Sequence, residues 1–310
     1  MRDKTAIALV GPTAIGKTSL SLILAKEFDC EIVSVDSMQV YRYMDVGTAK
    51  IHPEEMMGIP HHLLDLVDPD EHYDAASFAR DAERVIESIT LRGKVPLLTG
   101  GTGLYLKALT GGLFAELPKD DTGRKILQKR LDIEGSLNLH QELMACDPPS
   151  AARIHHQDGM RIVRGLEIYM ISGIPWSTHL QRQQEGRGGD GLQNILQIAL
   201  YTERDLLYDR INRRSVKMVE HGLAEEVQHL LAMGYSQRLK PMKSIGYRHM
   251  LNYLGNRWTM PEMLALLSRD TRRYAKRQYT WFRGIAEMEW FDLKDRDGIQ
   301  RRIASWLASR

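Results

Sequence analysis

The segment Gly11-Pro12-Thr13-Ala14-Ile15-Gly16-Lys17-Thr18 fits the pattern G-x-x-x-x-G-K-[ST]. An apolar run at residues 5–10 precedes it. Leu20, Ile23, Leu24 and Phe28 follow at helical spacing. Strand, glycine-rich turn and helix in that order constrain the fold more than any other feature of the chain. The glycines let the backbone curl with its N–H groups inward, and the start of the helix adds positive partial charge. Lys17 supplies a full charge to outer phosphates, and the Thr18 hydroxyl is of the kind that sits on Mg²⁺. The pattern specifies a di- or triphosphate ligand. It does not say which one, nor that a phosphoryl group moves. No N-K-x-D segment follows a later strand, which disfavours a GTPase.

The elements after the loop alternate. Residues 31–35 read as a second strand, 75–92 as a helix, and 95–99 as a strand stopped by Gly100-Gly101. This predicts an α/β fold: a P-loop NTPase-like parallel sheet with helices on both faces. Residues 118–192 are rich in charge and helix formers, contain Pro148-Pro149, and end in a Gly/Gln stretch at 181–191. They read as an all-helical insertion closed by a flexible connector. A strand returns at 195–201. Helices follow over 204–221, 223–233, 244–254 and 260–284, then a short strand at 288–291 and a last helix. The expected division is a core of residues 1–115 and 193–310 with an insertion at 116–192.

Composition narrows the classes. No apolar stretch of the 310 residues approaches the roughly 20 that a membrane span needs. The two cysteines, Cys30 and Cys146, support neither a disulfide framework nor a zinc module. A cytoplasmic protein with no membrane partner, acting as a monomer, is expected. The net charge of +2 is unevenly spread. From Arg238 to Arg310 there are 16 basic and 7 acidic residues, +9. Residues 1–237 hold 26 and 33, −7. A basic C-terminal quarter suits a polyanion, although charge reports attraction without identity.

Two further loops belong with the first, because ligands of an open α/β sheet sit outside the carboxyl ends of its strands. Asp36 ends the second strand. It suits a general base, a water-mediated Mg²⁺ contact or a turn cap. Thr102 follows Gly100-Gly101. It suits a hydrogen bond to a developing oxyanion, or the N-cap of the next helix, or both. Arg210 and Arg214 lie four apart on one helix face, as a phosphate clamp or as a solvated surface. His61-His62 and His155-His156 read as packing rather than metal ligands.

Together these segments resemble the bacterial tRNA dimethylallyltransferases. The resemblance rests on residues 11–18, Asp36-Ser37-Met38-Gln39-Val40-Tyr41, Gly47-Thr48-Ala49-Lys50, Pro60-His61-His62-Leu63-Leu64-Asp65 and Gly100-Gly101-Thr102-Gly103-Leu104-Tyr105. It continues through 161–167, 244–248 and 276–283, nearly the whole chain in order. Ile15 stands where Ser is common. The resemblance implies a dimethylallyl diphosphate donor held with Mg²⁺. The acceptor it implies is the exocyclic amine of the adenosine 3′ of the anticodon, in tRNAs reading codons that begin with U. It implies that Asp36 takes the amine's proton and that Lys17, Thr18 with Mg²⁺ and Thr102 stabilise the leaving diphosphate. For the anticodon stem-loop it implies contacts from Asp36, Ser37, Met38, Gln39 and Thr102, and from Arg124, Met160, Arg161, Ile162, Val163 and Arg164 of the insertion. Lys243, Ser244, Ile245, Gly246, Tyr247 and Arg248 follow. So do Lys276, Arg277, Gln278, Tyr279, Thr280, Trp281, Phe282 and Arg283, with at least one of Trp281 and Phe282 expected in the core. The competing readings are an adenylate isopentenyltransferase acting on free AMP or ATP, a small-molecule kinase, and a non-catalytic RNA-binding switch.

Overall fold

The computed structural model describes residues 5–111, 120–185, 192 and 194–310. The first elements are β1 (Thr5–Val10), α1 (Lys17–Glu27), β2 (Cys30–Val35), β3 (His61–His62), α2 (Ala75–Leu91), β4 (Val95–Gly100) and α3 (Gly103–Gly111). Four helices come next: α4 (Asp121–Cys146), α5 (Pro148–Arg153), α6 (Gly159–Ser172) and α7 (Trp176–Glu185). The remainder is β5 (Asn194–Tyr201), α8 (Arg204–Glu220), α9 (Leu223–Ala232), α10 (Tyr247–Leu254), α11 (Met260–Arg283), β6 (Glu289–Asp292) and α12 (Arg296–Ala308).

The six strands form one parallel sheet in the order β3-β2-β4-β1-β5-β6. A strand covered on both faces has no solvent side, so its sequence is a continuous apolar run rather than an alternation. Ala6–Val10 are accordingly all buried, as is every residue of β2. Ile7, Leu9, Ile32, Leu97 and Ile198 of the sheet pack with Leu20 and Leu24 of α1, Leu207 and Ile211 of α8, and Ile299, Ile303 and Trp306 of α12. Register then does the positioning. Val10 pairs with both Gly100 and Ala199, and Gly100 pairs with Val35. The carboxyl ends of β1, β2, β4 and β5 thus lie in one row, and Gly11, Asp36 and Gly101 leave the sheet side by side.

The chain folds into two compact units, residues 1–111 with 192–310, and residues 112–191. The second unit is helical, with its own core of Leu127, Leu139, Leu143, Ala151, Ile162, Val163 and Leu166. Its helix α4 kinks at Gly135, whose φ of 81° a side chain resists. Of the Gly/Gln stretch read as a connector, residues 181–185 close α7 and the rest lies outside the described residues. Two elements depart from expectation. The short strand β3 carries no apolar pattern, so only its pairing with β2 reveals it. The helix expected from residue 244 starts at Tyr247, because Gly246 takes φ 97° and a separate 3₁₀ turn occupies Pro241–Lys243. Among the described residues no helix is long and apolar enough to cross a membrane.

Candidate active site

The phosphate loop joins β1 to α1 through left-handed backbone at Ala14 (φ 63°) and Gly16 (φ 108°). Ile15 points down and is fully buried in the sheet core, which anchors the loop from below. Lys17 Nζ donates to the carbonyls of Gly11 at 2.9 Å and Pro12 at 2.8 Å. Enclosure in the cleft and the nearby Arg214 charge lower its pKa to about 7, against a smaller opposing pull from Asp36. Thr18 stands exposed at the start of α1.

Arg210 and Arg214 face this loop rather than open solvent. Arg210 donates to the Ile15 carbonyl at 2.8 Å, and Arg214 to the Thr13 hydroxyl at 3.1 Å. Desolvation lowers the Arg214 pKa, and Asp36 partly restores it.

Asp36 fills one of the roles its position allows, the turn cap. Its Oδ1 caps the following turn, accepting the N–H of Met38 at 2.8 Å and of Gln39 at 3.4 Å. Its Oδ2 makes no hydrogen bond among the described residues. Burial raises the carboxyl's pKa; the turn N–H groups, Lys17 and Arg214 pull it back. Across the cleft the Thr102 hydroxyl accepts the Ser37 N–H at 3.0 Å, and the Thr102 carbonyl opens α3 by accepting from Tyr105. Thr102 therefore ties the second loop to the third at a helix start. Close packing enforces this: a Cβ on Gly100 would lie 2.1 Å from the Val35 carbonyl oxygen.

Two cavities meet here, of about 240 and 310 Å³, and both are walled by Thr13, Asp36, Thr48, Arg214 and Tyr274. The larger runs along the phosphate loop past Lys17, Thr18, Thr99 and Gln39. The smaller is walled by Met38, Ile211, Met218, Ile245 and Leu267, with Ser37 and Ser244 among its polar residues.

A model for IPP transferase matches residues 39–285, and one for isopentenyl transferase matches residues 4–69. The chain belongs to the IPP transferase family. The enzyme is 53% identical over 302 residues to the tRNA dimethylallyltransferase of Desulfotalea psychrophila, covering 97% of this chain and 95% of that one. The crystal structure of tRNA isopentenylpyrophosphate transferase from Bacillus halodurans is 41% identical, with a TM-score of 0.73 over 99% and 98% of the two chains. A eukaryotic dimethylallyltransferase acting on tRNA matches at TM-score 0.82 and 27% identity, over 99% of this chain and 80% of its own. The enzyme is a transferase with the doubly covered parallel sheet expected from its alternating strands and helices.

Several implied RNA contacts face other work. In α6, Ile162 and Val163 are buried in the helical unit's core, so their side chains cannot reach RNA. Arg124 and Arg164 donate to the Glu167 carboxylate at 2.8 and 2.7 Å, neutralising a group that is 1% exposed. Met160 and Arg161 do stand exposed, Arg161 pairing with Asp158 at 3.2 Å. Tyr247 is fully buried, and Gly246 beside it is buried too; Lys243 and Arg248 remain accessible, Arg248 bonded to Asp270 at 2.7 Å. Along α11, Lys276, Arg277, Thr280, Trp281 and Arg283 form an exposed face. Tyr279 is half-buried with its hydroxyl on the Thr202 N–H. Phe282 is core. Gln278 is buried and turned toward the phosphate loop: it accepts from Thr13 N and donates to the Gly101 carbonyl.

Tyr274 walls both cavities from α11. Burial and the Asp36 charge push its phenol up to about 12, with the Thr102 hydroxyl opposing. Its spacing of four from Gln278 places both on one helix face, a usable signal. Sequence reasoning misses the part played by Thr48 and Glu226 at this cleft.

Proposed function

We propose that the enzyme moves the dimethylallyl group of dimethylallyl diphosphate onto the exocyclic amine of the adenosine 3′ of the anticodon, in tRNAs that read codons beginning with U. The observation that carries this is the meeting of two cavities at Asp36, one lined by a phosphate loop and the other largely apolar. A group transfer between two bound molecules needs donor and acceptor on either side of the bond being made. The loop cavity takes the diphosphate, and the second receives the base, turned out of the RNA stack so that its amine is reachable.

In the transfer the amine nitrogen bonds to the donor's allylic carbon while the carbon–oxygen bond breaks. The electron pair of that bond leaves with the diphosphate, and a proton leaves the nitrogen. Asp36 Oδ2 accepts this proton; the turn N–H groups hold Oδ1 and so fix the carboxylate's direction. The loop N–H groups, Lys17, Arg210 and Arg214 take the charge that grows on the leaving group, with Thr102 at the neighbouring loop. Magnesium is the ion of choice. Among the described residues no three carboxylate, histidine or cysteine side chains cluster as a metal cage. The cavity instead offers hard oxygens: the Thr18 hydroxyl, the Asp36 carboxylate, and a Thr99 hydroxyl that is buried without a hydrogen-bond partner. That set fits an ion brought in by phosphates and keeping several waters. When bound it would neutralise part of the diphosphate charge.

The exposed cations of α11, with Lys243 and Arg248, suit the phosphates of an anticodon stem-loop. The enzyme would work as a cytoplasmic monomer, where tRNA is found. The test is single-turnover transfer of labelled dimethylallyl, with Mg²⁺ and no ATP, to an anticodon stem-loop and separately to AMP. Label on the RNA alone, lost in Asp36→Ala, is expected. Label on AMP instead makes this a free-nucleotide enzyme, and no label on either overturns the reading.

A further inference from the structure

Glu226 on α9 belongs to none of the motifs above, yet its carboxylate holds four donors. Oε2 accepts the N–H groups of Asp45 at 2.8 Å and Val46 at 2.7 Å. Oε1 accepts the Gly47 N–H at 3.0 Å and the Tyr247 hydroxyl at 2.6 Å. No Lys or Arg pairs with it among the described residues. Three successive N–H groups turned inward form an anion-binding concavity. Here the chain's own carboxylate fills it.

The turn so held leads to the cleft. The Thr48 hydroxyl closes it by donating to the Met44 carbonyl at 2.7 Å. The Thr48 carbonyl accepts from Arg214 and from Gln39, each at 3.4 Å, and Thr48 walls both cavities. The other end of the Arg214 guanidinium is on Thr13. On the far side the Tyr247 ring packs against Gly47 so closely that a Cβ there would lie 2.4 Å from the ring. Tyr247 in turn follows Ser244 and Ile245, which wall the smaller cavity.

We propose that Glu226 is a positioning residue for the transfer: it fastens residues 45–48 so that the Thr48 carbonyl keeps Arg214 against Thr13 beside Asp36, and through Tyr247 it ties that turn to the 243–248 segment. The role in turnover rests on the prenyl-transfer reading; the fastening of Arg214 does not. Glutamine at 226 is nearly isosteric but has one acceptor oxygen and an NH₂ donor, so it cannot satisfy four converging donors. Arg214 would then lose its second anchor.

The experiment compares full-length Glu226→Gln with the wild type, with Glu225→Gln on the exposed side of the same helix as control. Affinity for inorganic diphosphate with Mg²⁺ is read by calorimetry, and single-turnover rate against donor concentration in the transfer assay. Glu226→Gln is expected to bind diphosphate about 10-fold more weakly and to transfer about 10- to 100-fold more slowly, the scale of a small misplacement at a reacting centre. Glu225→Gln follows the wild type in both. Wild-type diphosphate affinity in a folded Glu226→Gln overturns the proposal, whatever its melting temperature. If Glu226→Gln does not fold, Tyr247→Phe, which removes one of the four donors, carries the same comparison, and a diphosphate affinity unchanged from the wild type overturns it. A wild type that transfers nothing sinks the prenyl-transfer reading, while the calorimetric comparison still decides whether Glu226 holds Arg214 in place.

Discussion

The Gln278 side-chain oxygen accepts the Thr13 N–H at 2.9 Å, across 265 residues of sequence. Its amide nitrogen reaches the Gly101 carbonyl at 2.8 Å, so one side chain from α11 spans the first and third loops of the cleft. Gln278→Ala leaves a donor and an acceptor unpaired. The expected cost is about 1–3 kcal/mol of stability, read by urea denaturation, together with a raised KM for the diphosphate donor. Unchanged values for both would mean that the loops hold their own spacing.

Lys17 titrates within the working range. Its pKa is lowered to about 7, so near pH 8 it is mostly neutral. A bound diphosphate favours the ammonium form and raises that pKa. Diphosphate binding at pH 8 should therefore take up a proton, and affinity should fall as pH rises above about 7. Calorimetry in buffers of different ionisation enthalpy measures the uptake. Lys17→Met should abolish it.

Asp36→Asn keeps a carbonyl oxygen for the turn and removes the proton acceptor. The chemical step should slow by about 10²–10⁴-fold with little change in donor KM. Because burial raises the Asp36 pKa, the wild-type rate should fall away on the acid side at a pH above the ordinary aspartate range. A rate profile with that limb intact in Asp36→Asn would assign the base elsewhere.

Arg124→Gln tests whether an implied RNA contact is structural. Removing one of the two arginines on Glu167 should cost the helical unit about 1.5–3 kcal/mol, the range for hydrogen bonds to charged groups. Thermal unfolding of the enzyme without RNA measures it. An unaltered transition with weaker RNA binding would return Arg124 to the RNA surface.

The phosphate loop is legible because it is written in local spacing: glycines, a lysine and a threonine between an apolar strand and a helix. The strand ends at Asp36 and Thr102 follow from the same rule, since a parallel sheet presents one row of loops. The helices after residue 204 are legible within a few residues at each end from their apolar period. Gln278 stands in the sequence among cationic neighbours and faces away from them, because α11 is amphipathic and burial, not composition, selects its inner face. Glu226 leaves no trace, since a carboxylate that binds backbone N–H groups some 180 residues away makes no pattern near itself. Ile162 and Val163 fall within a resemblance read as a run, whereas a helix turns consecutive residues to different sides.

The pairing of β1 bears on how the chain comes to exist. Its two neighbours are β4, finished by residue 100, and β5, which begins at residue 194. During synthesis the strand that carries the phosphate loop has only one partner until the whole helical unit has left the ribosome. That unit is continuous in sequence and helical, the kind of segment whose local pairings form early. The sheet must wait with an open edge on its central strand. The helical unit thus lengthens the interval in which the nascent catalytic sheet is exposed to misassembly.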